Sequence, residues 1–208
     1  MPLPAKEVAR DRVLDDRELA QVILAARKIG GPYGGIVEFL VLTGQRREEV
    51  AGLSWGELDL AQRIWTIPKA RTKNAKAHIV YLSIQALAVL MRAGRKGPLV
   101  FTPLGTKPFQ DFTHAKRRLD QLSGVNGWRL HDLRRTCVSG MARLGVAPHV
   151  ADKILNHQAG AISGVAAVYQ RHEFLAERQG ALERWGGHIA YIVAKASSEL
   201  RGGIKGVA

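Results

Sequence analysis

The chain has 208 residues, of which 46% are hydrophobic, so it can build a core of its own and is not globally disordered. Lysine and arginine total 31 against 18 for aspartate and glutamate, and the net charge of +13 favours a polyanionic partner, nucleic acid before an anionic membrane. Cys137 is the only cysteine, which excludes an internal disulfide and a cysteine-based zinc finger, and no apolar run approaches the roughly 20 residues of a membrane helix.

The N-terminal quarter is predicted to be helical. Asp15 and Asp16 are capping residues before an apolar pattern, and we expect Gly30 to Pro32 to end the first helix and Gly44 to end the second. The helices are predicted over 18–26, over 36–42, where the chain is largely apolar and buried, and over 46–53.

The hydrophobic period then changes to that of strands. Residues 63–67 and 78–82 alternate, and the basic turn 68–77 between them completes a predicted β-hairpin. Further helices are predicted over 84–92, 109–122, 131–144, 148–155, 162–170 and from 174 to 185, with a frayed tail from Glu199. The predicted fold class is mainly α with a small antiparallel β-hairpin or sheet, an α+β domain.

A basic chain that acts on nucleic acid would have to meet the demands of phosphodiester chemistry. Such a site stabilises negative charge on the non-bridging oxygens, supplies a nucleophile and protonates the leaving oxygen. The sequence has no convincing carboxylate cluster that would hold magnesium. We therefore test a site of arginine, lysine, histidine and tyrosine side chains, with no metal and no cofactor.

Two charged segments lie at predicted helix starts. Arg46 follows the break at Gly44, and Glu49 lies three residues later on the same helix face. His131 and Arg134 are also three residues apart, so both can point at one phosphate, the histidine as proton carrier and the arginine as oxyanion ligand. The alternative for each segment is an ordinary solvated helix start.

Two further segments offer a lysine, a histidine and a tyrosine. Lys73 lies in the hairpin turn, where a flexible ammonium could reach a leaving oxygen, although a basic solvated turn is the usual meaning of such a run. His157 precedes Tyr169, whose neighbours Arg171 and His172 create a positive field that favours the phenolate. The alternative is a packing tyrosine with a surface hydroxyl.

Together these motifs resemble the tyrosine recombinase family, the phage integrases of lambda-integrase type. Family members have an arginine in a T-G-x-R-x-x-E context, a hairpin lysine, H-x-x-R, a histidine or tryptophan in an L-G-H-like segment and a tyrosine. The corresponding residues here, in the same order, are Arg46, Lys73, His131, Arg134, His157 and Tyr169. The resemblance covers the sequence from about Arg12 to about Trp185, which looks like that of prophage and genomic-island integrases. The sequence departs from the family at Asn156, where many members have glycine.

The resemblance implies the fold of a DNA breaking-rejoining enzyme and a role for each residue. Arg46, Arg134 and His157 would bind the scissile phosphate, and Tyr169 would attack it to give a 3′-phosphotyrosyl link. Lys73, or less well Lys76, would be the acid for the leaving oxygen, and His131 the base. Glu49 would orient His131 or the arginines. The candidates for contacts with DNA beside the scissile phosphate are Arg47, Arg71, Lys76, Arg135 and Arg171.

The same resemblance sets the expected biology. It implies integration or excision of a mobile element, with double-stranded attachment-site DNA as partner, a homotetramer on DNA, a monomer when free, and accessory DNA-bending or excisionase proteins. The expected location is the bacterial cytoplasm, at the nucleoid, with no membrane partner. The alternatives are a DNA-binding module without catalysis and a type IB topoisomerase-like enzyme.

The pattern begins almost at Met1, which predicts a single catalytic domain over 1–208. Its core would cover about 12–185 and a C-terminal helix or tail would cover 186–208. The core-binding and arm-binding domains that precede the catalytic domain in the family are then expected to be absent. The apolar residues Ile189, Ile192 and Val193 could belong to a helix exchanged between subunits, or could pack on their own domain.

Overall fold

The computed structural model describes residues 11–72, 74–157 and 173–205, with side chains to residue 201. These ranges contain eight α-helices, a three-stranded antiparallel sheet, and 3-10 turns at Trp55–Glu57 and Lys69–Arg71. The predicted α+β class is confirmed. The elements are α1 (Asp16–Ile29), α2 (Gly31–Thr43), α3 (Arg47–Ala51), β1 (Leu58–Asp59), β2 (Ile64–Ile67), β3 (His78–Tyr81), α4 (Ile84–Ala93), α5 (Phe112–Ser123), α6 (Leu130–Arg143), α7 (Pro148–Ile154) and α8 (Leu175–Lys205).

Local capping explains where the first helices begin and end. Asp15 caps α1, as predicted, and also forms a capping box with Glu18, while Gly30 ends the helix with a φ of 64°. Pro32 was expected to help end α1 but lies in the first turn of α2, where its missing N–H costs nothing. Helix α2 therefore begins five residues earlier than the predicted 36.

Helix α2 is the centre of the domain. Ten of its thirteen residues are buried, and α1, α4, α6 and α8 all pack against it. Trp185 of α8 is fully buried and donates from Nε1 to the carbonyl oxygen of Val41 at 2.8 Å. A Cβ atom at Gly140 of α6 would lie 2.2 Å from the Trp185 ring, so glycine there permits the close approach of α6 and α8.

The sheet contains one strand more than predicted. Strand β2 pairs with β3 in the register Trp65 to Val80, as a hairpin requires, and with the two-residue strand β1 on its other side. Strand β1 is too short to produce an alternating pattern in the sequence. Trp65 is fully buried against Phe39, with ring centroids 5.8 Å apart, and joins the sheet to the helical core.

The C-terminal part differs from the expectation. The prediction that the chain frays from Glu199 is wrong, because α8 continues to Lys205. Ile189, Ile192 and Val193 are buried on their own domain, and α8 packs along α1. Helix α5 begins at Phe112 instead of Phe109, since Asp111 caps it. The helix predicted over 162–170 lies outside the described residues, and no helix in the described ranges is long and apolar enough to cross a membrane.

Candidate active site

One basic cleft brings together four of the residues that the sequence motifs single out. The cleft has a volume of about 1020 Å³ and is lined by Arg46, Glu49, His131 and Arg134 among others. Seven arginine or lysine side chains line it against two glutamates. Its electrostatic character therefore suits an anionic ligand larger than a single small ion.

Arg46 is placed at the cleft by its own helix start. It is the N-cap residue of α3, with extended backbone, and its N–H donates to Glu49 Oε2 at 3.0 Å. Its guanidinium donates to the other carboxylate oxygen of Glu49, also at 3.0 Å. Glu49 is buried whereas Arg46 is partly exposed, so the glutamate holds the arginine while leaving it accessible from the cleft.

Arg134 is buried and anchored to backbone. Its guanidinium donates to the carbonyl oxygen of Gly44 at 2.6 Å and to that of Leu155. Only 5% of the residue is exposed. Burial, and after it the charge of the nearby Arg46, lowers the pKa of Arg134 to about 10. Two cations that repel each other at a cleft surface favour a bound anion between them.

His131 lies one turn before Arg134, in the first turn of α6. The residue is exposed, but the environment of its ring lowers its pKa from the usual value, through partial burial first and then through Arg135 and Arg134. The neutral imidazole is therefore favoured at neutral pH. A neutral imidazole can accept a proton, which is what a general base requires.

The Ile154–Asn156 segment connects the motifs to each other. The carbonyl oxygen of Ile154 accepts from Gln45 Nε2 at 2.9 Å and from His78 Nε2 at 3.0 Å. The next carbonyl, of Leu155, accepts from Arg134. Two consecutive carbonyl oxygens thus accept from Gln45, His78 and Arg134, and this short stretch of backbone leads directly to His157.

His78 is the buried member of this group. Burial lowers its pKa to about 4, and Arg178, Arg134 and Arg46 act in the same direction. The ring is therefore neutral near pH 7 and can keep its Nε2–H directed at Ile154 O.

His157 lies at the exposed end of the segment. Its Nδ1 is 3.2 Å from Asp152 Oδ1, and its backbone N–H donates to the Asp152 carbonyl oxygen at 3.1 Å. The pKa of His157 is lowered by partial burial and by Arg134, and the Asp152 carboxylate opposes that shift. With Nδ1 facing Asp152, Nε2 is the nitrogen left to face a ligand.

Arg71, in the hairpin turn, supports the site through contacts with protein groups. Its guanidinium donates to the Glu57 carboxylate and to the backbone carbonyl oxygen of Glu49. Trp65 Nε1 donates to the same Glu57 carboxylate at 2.9 Å. Arg71 was predicted to contact DNA, and it lines the cleft, but its guanidinium is already bound to protein groups. The DNA contact stays a prediction.

The other cations predicted to contact DNA differ in how firmly they are held. Arg47 is exposed and lies over the Phe112 ring, 4.8 Å from its centroid. Arg135 donates to the buried Asp132 at 2.7 Å, and Lys76 is exposed in the hairpin turn. These placements leave each side chain within reach of solvent, so their contacts with DNA remain predictions.

Three of the predicted residues lie outside the described ranges: Lys73, Tyr169 and Arg171. Their roles as acid, nucleophile and DNA contact therefore remain predictions. Within the described ranges, no group of three or more histidine, cysteine, aspartate or glutamate side chains could hold a metal ion.

Sequence reasoning missed four residues that organise the site: Gln45, His78, Asn74 and Asn156. Gln45 and Asn156 lie inside recognised motifs, next to Arg46 and His157, and adjacency was the available signal. Asn74 and Asn156 form reciprocal side-chain hydrogen bonds across 82 residues of sequence, which no local pattern indicates.

The family of the chain follows from comparison with known proteins. The phage integrase family model matches residues 12–174, so the chain belongs to the phage integrase family, the tyrosine recombinases. The integrase of Salmonella phage P22 is 27% identical over 158 residues, covering 69% of this chain and 40% of that protein. Prophage integrase IntA of Escherichia coli (strain K12) is 30% identical over 149 residues, covering 70% and 36%. The chain thus spans less than half the length of either relative.

Solved structures agree on the fold. The XerA recombinase superposes with a TM-score of 0.62 at 22% identity, over 79% of this chain and 64% of that one. A lambda integrase dimer bound to a COC′ core site gives a TM-score of 0.61 at 18% identity, over 77% and 62%. The fold is that of a tyrosine recombinase catalytic domain, as the sequence motifs predicted.

Proposed function

We propose that this chain is a single catalytic domain that cuts and rejoins DNA during site-specific recombination of a mobile element, through a 3′-phosphotyrosyl intermediate. The observation that carries the proposal is the basic cleft in which Arg46, His131 and Arg134 meet. Membership of the phage integrase family supports it.

The two arginines act on the scissile phosphate. As the phosphorus becomes five-coordinate, charge accumulates on its non-bridging oxygens, and fixed guanidinium donors stabilise that charge. Arg134 is already held by two carbonyl oxygens and Arg46 by Glu49, so neither needs to be ordered during the reaction. The lowered pKa of Arg134 means that a bound phosphate also relieves an unfavourable charge environment.

Tyr169 and Lys73 complete the step. The phenolic oxygen of Tyr169 forms a bond to phosphorus while the bond from phosphorus to the 5′ oxygen breaks. His131 accepts the phenolic proton, and Lys73 gives a proton to the 5′ oxygen, which leaves as a hydroxyl. The reverse step, with the 5′-hydroxyl of a partner strand, rejoins the DNA. The phosphotyrosyl bond conserves the energy of the phosphodiester, so neither a nucleotide nor a metal is required.

His157 binds the phosphate in its protonated form. With Nδ1–H directed at Asp152, Nε2 donates to a phosphate oxygen only when the ring carries both protons. The neighbouring Arg134 disfavours that form in the free protein. The negative charge of a bound phosphate compensates the positive charge of Arg134 and favours the protonated ring of His157. Phosphate binding and protonation of His157 therefore reinforce each other.

The expected partner is attachment-site DNA. A lambda integrase dimer is seen bound to a COC′ core site, and the basic cleft of this chain supports a comparable DNA contact. We propose a homotetramer on paired sites, a monomer in the absence of DNA, and accessory DNA-bending or excisionase proteins. Arg47, Lys76, Arg135 and Arg171 would bind backbone phosphates outside the scissile one.

The test is a covalent adduct. The protein is mixed with attachment-region DNA that is nicked near the crossover so that religation fails, then denatured in SDS in the presence of a metal chelator. We expect a protein–DNA adduct that forms with the wild type and is absent for Tyr169→Phe. The matched control is Tyr191→Phe, because Tyr191 is an exposed tyrosine on α8.

The outcomes separate the alternatives. An adduct that survives the chelator and requires Tyr169 establishes the nucleophile and metal independence together. DNA binding without any adduct favours a DNA-binding module. An adduct without strand transfer to a second site indicates a topoisomerase-like activity.

A further inference from the structure

Two asparagine side chains join the hairpin turn to the loop that ends in His157. Asn74 Nδ2 donates to Asn156 Oδ1 at 2.6 Å, and Asn156 Nδ2 donates to Asn74 Oδ1 at 3.3 Å. We call these two residues the amide pair. Each primary amide acts as donor and acceptor to the other, which fixes both the distance and the orientation of the two segments.

The backbone at Asn156 is suited to this contact. Its φ is 54°, in the left-handed region that glycine and asparagine adopt at the lowest cost. Glycine would allow the same backbone turn after α7 but has no side-chain amide to bond with Asn74. Asparagine at this position therefore provides the turn and the contact together.

The turn is organised around the other member of the pair. Thr72 Oγ1 donates to the Lys76 carbonyl oxygen at 2.7 Å, and the Ala75 N–H donates to the Thr72 carbonyl oxygen at 3.3 Å. Asn74 Oδ1 also accepts from the Lys76 N–H at 3.3 Å. The Asn74 amide is thus held by its own turn as well as by Asn156.

In the sequence, Lys73 lies between Thr72 and Asn74, which are both held by hydrogen bonds of the turn. Its own placement is outside the described residues, but it is bonded to Thr72 on one side and to Asn74 on the other. On the far side of the pair, Asn156 is bonded to His157 and follows Leu155, whose carbonyl oxygen accepts from Arg134. The amide pair is therefore a direct side-chain connection between the turn of the proposed acid and the segment that leads to His157.

We propose that Asn74 and Asn156 are positioning residues, which hold the turn containing Lys73 against the Arg134 and His157 side of the site so that the lysine protonates the 5′ oxygen. This inference rests on the proposed function. The lysine side chain is flexible, and proton transfer requires its ammonium within hydrogen-bond distance of the leaving oxygen. Without the pair, the turn samples other positions and the acid is correctly placed less often.

The test compares two leaving groups in the cleavage reaction of this protein. Two nicked duplexes of identical attachment-region sequence are used, one with the natural 5′ oxygen at the scissile phosphate and one with sulfur in its place. A thiolate leaves without a proton, because a thiol is far more acidic than an alcohol. A defect in the acid slows cleavage of the oxygen duplex only, whereas a defect in phosphate binding slows cleavage of both.

We expect Asn74→Ala and Asn156→Gly each to lower the cleavage rate of the oxygen duplex about tenfold. Asn156→Gly keeps the left-handed backbone free of strain. The double variant is expected to be no slower than the slower single variant, because either change already breaks the pair. On the sulfur duplex all three, like Lys73→Ala, should come within about twofold of wild type, while Arg134→Met stays slow on both.

Asn126→Ala is the matched control, since Asn126 is an exposed loop asparagine that does not line the cleft, and thermal unfolding shows whether each variant is folded. Equal slowing on the two duplexes, or no slowing at all, would overturn the positioning role while leaving the proposed function intact. A wild type that cleaves neither duplex would overturn the proposed function and this inference with it.

Discussion

Arg134 gives a prediction in which stability and activity separate. Replacing it with methionine keeps an unbranched stem but removes the guanidinium, and with it the charge and every donor. The carbonyl oxygens of Gly44 and Leu155 then lose their guanidinium partner. A buried polar group left unsatisfied costs about 1 to 3 kcal/mol, so the two together cost about 2 to 6 kcal/mol.

An opposing contribution comes from the charge itself. The fall in the pKa of Arg134 to about 10 corresponds to roughly 3 kcal/mol of unfavourable burial and repulsion, which the methionine does not suffer. The net effect of Arg134→Met on the free energy of unfolding is therefore expected to lie between a gain of about 1 kcal/mol and a loss of about 3 kcal/mol. Cleavage of the nicked duplex should fall by at least about a hundredfold, because a donor to the transition state is gone.

The assay pairs urea unfolding with the rate of adduct formation. Arg178→Met is the matched control, because Arg178 is 3% exposed and donates to the carbonyl oxygen of Ile79, on the α8 side of the sheet. We expect that control to lose stability but to keep most of its cleavage activity once folded. A loss of more than about 5 kcal/mol for Arg134→Met would refute the stability argument, and cleavage near the wild-type rate would refute the assignment of Arg134 to the phosphate.

Two further predictions concern residues that support the arginines. His78→Gln keeps a donor toward Ile154 but cannot titrate. The pKa of His78 is about 4 in the folded protein and about 6.5 in the unfolded chain, so the wild type loses stability as the pH falls from 6.5 to 4. The stability advantage of wild type over His78→Gln should shrink by roughly 3 kcal/mol from pH 7 to pH 4, and urea unfolding at both pH values checks this; a constant difference contradicts it. Glu49→Gln removes the carboxylate that holds Arg46 and should slow cleavage about tenfold. The exposed neighbour Glu48→Gln should stay within about twofold, and equal rates for the two variants would remove the supporting role.

What the sequence predicted well depends on local spacing. Arg46 with Glu49, and His131 with Arg134, are three residues apart on helices, so their placement on one face followed from helical geometry. The cap at Asp15 was likewise visible in the sequence, directly before the apolar pattern of α1. Local patterns thus gave most helix starts and the hairpin, and the family resemblance gave the fold.

What the sequence could not predict depends on contacts between distant segments. Arg71 is a basic turn residue in the sequence, and only the fold places Glu57 and the Glu49 carbonyl oxygen against it. The C-terminal helix was expected to fray at its glycines, yet Ile192 and Val193 are buried, and packing against α1 stabilises the helix beyond them.

The arrangement around Arg134 has a consequence for how the site is specified. Its two acceptors are backbone carbonyl oxygens, so no acceptor side chain encodes the contact. Two residues with left-handed backbone set the conformation at these acceptors. Gly44, with a φ of 65°, carries one accepting carbonyl oxygen, and Asn156, with a φ of 54°, directly follows Leu155, which carries the other. A Cβ atom at Gly44 would lie 2.9 Å from the Leu155 side chain and 3.1 Å from Cys137 Sγ, so the two turns also pack against each other. The position of Arg134 is therefore set by backbone turns at the ends of α2 and α7, so residues outside the cleft motifs can determine the geometry of the cleft.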